Sequence, residues 1–146
     1  MRFFIYLCVL IIFALHNMLP DLLLQSVSLL FVLTVLGQSG LDKSLHFQGN
    51  LDYFRQQFKN TPFSSAAGGL LAVITLMETG SAVLAAVGLF SLWTSGERMT
   101  GIFAMTLAAF TFVCLLFGQR IAKDYAGAAG ITPYLAVAML GLYAFS

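Results

Sequence analysis

A chain of 146 residues that is 60% hydrophobic and 9% charged has too few charges to wet a protein surface of its size, since a soluble domain carries about a quarter charged residues. The mean hydropathy of +0.92 points to lipid as the solvent and to helices that satisfy their own backbone groups. A formal net charge of +1 excludes the basic stripe of a nucleic-acid-binding protein.

The first apolar stretch runs from Phe3 to Leu19, behind Arg2. It has the charged start and apolar run of a signal peptide, but Ala14 to Pro20 offers no small-residue cleavage pattern. The segment therefore reads as retained. Pro20-Asp21 interrupts, and Leu22 to Gly37 forms the second stretch. Each is ~24–26 Å long as a helix, and ~50 Å together, too long for one simple span, so a turn is expected at Pro20-Asp21. A polar connection from Gln38 to Ser65 follows. Ala66 to Trp93 is the longest apolar segment, long enough to tilt or project beyond a ~30 Å core. Thr94 to Thr100 is a short turn, Gly101 to Gly118 the next span, Gln119 to Gly130 a glycine-containing connection, and Ile131 to Ser146 the last span. The expected fold is all-α: a transmembrane four-helix bundle core, residues 22–146, with an extra hydrophobic segment at 1–21, giving four or five spans in one domain.

Charge placement orients this arrangement. With five spans Arg2, Lys43, Arg55, Lys59, Arg120 and Lys123 share one face, and only Arg98 takes the other. The positive-inside rule puts connections 38–65 and 119–130 in the cytoplasm, consistent with a multi-pass protein of the cell (inner) membrane. Trp93 and Tyr143 fit interfacial anchors. Within the first connection, Leu51, Phe54 and Phe58 of NLDYFRQQFK share one helical face. Asn50 is the expected N-cap, and Asn60-Thr61-Pro62 the stop. This short amphipathic helix lies either flat at the membrane surface or against the ends of the bundle.

Glu78, in LMETGSAV, is the one acid or base deep inside an apolar segment, ~18 Å along the helix from Ala66. A charge at that depth costs at least ~2.5–3.5 kcal/mol, so the carboxyl must be neutral, paired or beside a wet cavity. Thr75, Ser81, Ala82 and Ala85 share its helix face, and small residues permit close helix contact. Glu78 should face the bundle, as a protonatable group near a quinone or proton path, or as a structural hydrogen-bond donor. Thr106, Thr111, Tyr134 and Gln25 are candidate partners. In the cluster Gln119 to Tyr125, Arg120 and Asp124 are spaced to pair. Such a cluster suits a quinone head group, an anionic lipid or a partner subunit, or is a plain snorkelling boundary. Gln38, Gly40, Asp42, Lys43 and His46 form a third polar group, where Lys43 is expected to anchor to phosphate head groups.

His16 and His46 fall on opposite faces, which disfavours a bis-histidine haem. No spacing of Cys, His, Asp or Glu suggests a metal site, and no phosphate loop, nucleophile elbow or zinc-protease motif is present. Cys8 and Cys114 are far apart within apolar runs and read as packing residues.

Taken together, GQSGLDKSLHF, NLDYFRQQFKNTPF, METG and GQRIAKDYAGAAGITPYLAVAMLGLY resemble the DoxX family of small bacterial integral membrane proteins, from about Leu22 to the C-terminus. The resemblance implies a four-helix bundle. It also implies an association with membrane redox work, such as a thiosulfate:quinone oxidoreductase, an oxidative-stress complex, or resistance to catechol or quinone compounds. By that resemblance Glu78, Lys43, Arg120 and Asp124 are the positions to test. The expected function is an accessory subunit supporting quinone-linked redox chemistry, binding a quinone without covalent attachment or docking a redox partner. The alternative is a structural or assembly subunit of a larger membrane complex, joined to other subunits or to copies of itself. A proton-coupled carrier built on Glu78 is a third reading, weakened by the lack of paired broken helices.

Overall fold

The computed structural model describes side chains and packing for residues 20–146. The chain is all-α. Its elements are α1 (Arg2–Leu45), α2 (Phe47–Gln57), α3 (Ala67–Thr94, entered through a single 3-10 turn at Ser64–Ala66), α4 (Met99–Ile121) and α5 (Tyr125–Phe145). Among the described residues, four helices are long and apolar enough to cross a membrane: Pro20–Leu45, Ser64–Thr94, Met99–Ile121 and Tyr125–Phe145. The chain is an integral, multi-pass membrane protein.

The turn expected at Pro20-Asp21 does not form, because both residues are helical within α1. A fifth span at Phe3–Leu19, and the positions of Cys8 and His16, lie outside the described residues. The connections are also shorter than expected. Gln38 to Leu45 continues α1, and Tyr125 to Gly130 is already α5. Polar residues in these stretches made them look like loops, yet their helical backbone bonds are satisfied internally, as lipid requires.

Four helices close a bundle in which α1 packs on α3, α3 on α4, α4 on α5 and α5 back on α1. Its core joins Leu29, Val32 and Leu36 of α1, Ala85 and Leu92 of α3, Ala104, Met105, Ala108 and Phe112 of α4, and Ala138 and Phe145 of α5. Small residues set the spacing. A Cβ on Gly88 would lie 2.9 Å from the backbone nitrogen of Gly101, so α3 and α4 meet nearly backbone to backbone. The opposite faces are apolar and open: Phe103, Phe110 and Phe117, one heptad apart on α4, are each 60% exposed. In water such a stripe would drive aggregation, whereas in a bilayer it meets acyl chains.

Hydroxyls inside the spans are mostly neutralised locally. Ser26, Thr34, Ser44, Thr75, Thr79, Ser81 and Thr111 each donate to the carbonyl four residues earlier. At the end of the bundle remote from α2, Trp93 Nε1 donates to Ser26 Oγ at 3.0 Å, and Gln25 Nε2 to the carbonyl of Ala144 at 2.7 Å. Arg98 Nη2 donates to the carbonyl of Phe145 at 2.9 Å, placing a cation at the C-terminus of α5 where the helix dipole favours it.

Candidate functional site

Ser39 departs from the local pattern. Its hydroxyl donates to Glu78 Oε1 at 3.1 Å and accepts from Lys43 Nζ at 2.6 Å. Ser39 and Lys43 are four residues apart on α1 and so share a face. That face meets α3 at Glu78, whose Oε1 accepts from Lys43 Nζ at 3.0 Å. Lys43 Nζ also lies 2.9 Å from Oε2. The second contact is coulombic rather than a directed hydrogen bond, so Oε2 is a buried oxygen with no donor aligned on it. Glu78 is completely buried, and the Lys43 side chain is 13% exposed. The charge expected to need a partner has one, and the helix face with Ser81, Ala82 and Ala85 is buried as the spacing indicated.

The partner differs from those the sequence offered. Gln25 bonds to Ala144, Thr111 to Leu107, and Tyr134 packs between Phe31, which it meets edge-on, and the tilted ring of Phe112. Lys43 does not reach outward to phosphate groups but turns inward to Glu78. It stands two residues from the end of α1, and α1 ends beside the middle of α3. The first turns of α3 pack instead against α2, where Leu51 Cδ1 lies 3.6 Å from a Cβ built on Gly68.

This offset leaves room for a cavity of about 380 Å³ between α2, α3 and α4, bordered by Lys43 of α1. The volume falls in the range of small-molecule sites, about 300–1,000 Å³. From α2 come Asn50, Tyr53, Phe54 and Gln57; from α3 Leu70, Val73, Ile74 and Met77; from α4 Cys114, Phe117, Gly118 and Gln119. Leu51 and Phe58 are buried and Phe54 half-buried, so the apolar face of α2 is turned onto the bundle. Phe58 reaches over Gly118, and Gln57 donates to Gln119 Oε1, fastening the last turn of α2 to α4. His46, not Asn50, occupies the N-cap of α2. Asn50 instead binds Asp42 Oδ2 and the carbonyl of His46.

Arg120 and Asp124 do not pair. Arg120 stacks over the ring of Tyr125 at 4.8 Å, a cation–π contact. Asp124 N-caps α5 by accepting from the amide of Gly127 at 2.9 Å. The structure therefore brings Lys43 and Glu78 together and leaves Arg120 and Asp124 in separate roles at the α4–α5 turn. The cavity itself, with Tyr53, Phe54, Met77, Cys114 and Gln119, was not assembled by sequence reasoning. Its signal was the aromatic face of NLDYFRQQF, which needed a target on α3 and α4 to become a wall. No protein-family model, curated protein or solved structure matches this chain.

Proposed function

We propose that this protein is a membrane accessory subunit that supports quinone-linked redox chemistry by holding a quinone in the cavity beneath α2, and that its resemblance to the DoxX family reflects that role. The observation that carries the reading is an aromatic-walled cavity of about 380 Å³ bordered by Lys43, whose ammonium is paired with the buried Glu78 behind it. Flat rings suit walls of Tyr, Phe and Met, and a carbonyl oxygen suits an ammonium donor. An apolar tail has a route to lipid, because Val73 and Phe117 border the cavity and are themselves exposed on the membrane face.

Lys43, Arg55, Lys59, Arg120 and Lys123 lie toward the α2 end, and Arg98 at the other. By the positive-inside rule we assign the α2 end to the cytoplasm of a bacterial inner membrane, where a soluble or peripheral redox partner would have access to the cavity. The close-packing small residues Gly40, Gly88 and Gly141 all meet other helices of this chain. They lend no support to a purely structural subunit.

The test is extraction in mild detergent followed by mass spectrometry of bound small molecules, with quinone reduction rates measured in membranes with and without the protein. A co-purifying quinone that is lost when Phe54→Ala and Phe117→Ala open the cavity wall supports the reading. Protein that carries no quinone and leaves quinone reduction unchanged overturns it.

A further inference from the structure

The cavity has one charged residue on its wall, and that charge is already matched. Lys43 carries the positive charge, while Asn50, Gln57 and Gln119 are neutral. An ammonium has three N–H donors. One goes to Ser39 Oγ at 2.6 Å and one to Glu78 Oε1 at 3.0 Å. Glu78 Oε2 lies 2.9 Å from the same nitrogen without a bond aligned on it, so the third N–H has no directed protein acceptor among the described residues.

We propose that Lys43 is the specificity-determining residue of this cavity and that, because Glu78 cancels its charge, the site selects an uncharged oxygen acceptor, such as a ring carbonyl, and rejects anionic head groups. The inference rests on the ligand-binding reading above and narrows it to a chemical class. A lone lysine in an apolar cavity attracts phosphate or carboxylate strongly, since a desolvated charge seeks its opposite. A lysine held against a carboxylate presents a polar N–H and almost no net charge. Putting an anion there would place two negative groups against one ammonium, and like charges at that range repel. Glu78 is fully buried behind Lys43 and acts as a positioning residue. It fixes the ammonium through the Ser39 contact and sets the charge the ligand meets.

Uncharged carbonyls come from two sources in a membrane, a quinone ring or a glyceride ester. The walls of Tyr53, Phe54 and Phe117 favour the flat ring.

The experiment measures binding of three probes to the full chain in detergent micelles: a decyl-substituted benzoquinone, monoolein and dodecyl phosphate. Wild-type protein should bind the quinone at least about tenfold more tightly than dodecyl phosphate, about 1.4 kcal/mol at that ratio, with monoolein weaker than the quinone. Glu78→Gln retains a hydrogen-bonding side chain but uncovers the charge of Lys43. It should invert the order, gaining dodecyl phosphate and losing quinone. Lys43→Met should lose quinone without gaining the anion, and the double variant Lys43→Met/Glu78→Leu, which removes both charges, should do the same while keeping the bundle folded. Melting curves identify any single variant that unfolds, and the double variant then decides the role of Lys43. Tighter binding of monoolein overturns the ring carbonyl. Quinone binding that ignores Lys43, or a Glu78→Gln protein that still prefers quinone, overturns this inference while leaving quinone binding intact. Wild-type protein that binds no quinone removes the functional reading beneath it.

Discussion

Gly40 of α1 lies so close to Thr79 of α3 that a Cβ built on it would stand 2.7 Å from Thr79 Oγ1 and 3.1 Å from Thr79 N. Three residues further along α1, Lys43 reaches Glu78, the neighbour of Thr79. The glycine therefore sets the helix separation at which a lysine and a serine on α1 can both touch one carboxylate on α3. Gly40→Ala should push the helices apart and cost about 1–3 kcal/mol, the usual penalty for overfilling a close contact. Gly49 supplies the control. It is helical in α2 with nothing within 4 Å of its Cβ position, so Gly49→Ala should hold or gain about 0.5–1 kcal/mol. Thermal unfolding in detergent separates the two, and equal melting temperatures would show that the close approach is not limiting.

The ion pair should behave as a unit. Removing one partner leaves the other buried without its match, so Lys43→Met or Glu78→Leu alone should cost about 3–5 kcal/mol. Replacing both with apolar residues removes two desolvation penalties along with the attraction, and the double variant should lie close to wild type. A double-mutant cycle of unfolding free energies would register this as strong coupling. Additive losses would mean the two side chains do not share an interaction.

The inward face of Glu78 was legible because Ser81, Ala82 and Ala85 recur at helical spacing around it, and burial of that face follows from the cost of exposing a carboxylate to lipid. Its partner was not. Gln38, Ser39, Gly40 and Asp42 are polar enough to resemble a loop, which on sequence alone puts Lys43 in a connection, beside head groups. Those residues are helical because Ser39 and Lys43 share a charged partner across the interface, and Gly40 is there for contact rather than for a turn. That information lies in the fold, 35 residues away along the chain. The bundle itself was readable from the lengths of the apolar segments. The helix boundaries were not, since polar residues inside a membrane helix look like its end unless the facing helix is known.

Glu97 gives a pH dependence outside the spans. The hydroxyl of Thr100 foremost hydrogen-bonds its carboxylate and, with smaller contributions from the amides of Thr100 and Met99, holds it below the ordinary carboxylate range against the opposing effect of desolvation. A carboxyl whose folded-state pKa is depressed stabilises the fold above its unfolded pKa, and that contribution disappears as pH falls through the folded value. Wild type should therefore melt above Glu97→Gln at neutral pH, and the difference should close in strongly acidic buffer, below the usual titration of a carboxylate. A difference independent of pH would assign the effect to geometry at the start of α4 rather than to charge.

At the other turn Lys123 adopts φ of 60°. Its amide bonds to the carbonyl of Arg120, and the next amide, of Asp124, to that of Gln119. This is the glycine-favouring end of a Schellman motif, occupied here by a side chain that pays a steric cost there. Lys123→Gly should stabilise by about 1 kcal/mol, read as a higher melting temperature. A lower one would mean that the lysine makes a compensating contact.

The same turn separates two residues whose spacing invites an ion pair. Arg120 stacks on Tyr125 and Asp124 caps α5, so their roles should be energetically independent. Asp124→Ala removes the acceptor for the Gly127 amide and should cost about 1 kcal/mol, typical of a lost N-cap. Asp124→Asn keeps a capping oxygen while deleting the charge, and should recover most of that loss. Arg120→Ala forfeits an exposed cation–π contact, about 0.5–1 kcal/mol. In a double-mutant cycle of Arg120→Ala with Asp124→Asn, the coupling should fall within about 0.5 kcal/mol of zero, as for sites without a shared partner. A coupling well beyond that would mean the guanidinium leaves the tyrosine ring for the carboxylate, and that the cap is made by an ion-paired aspartate rather than a free one.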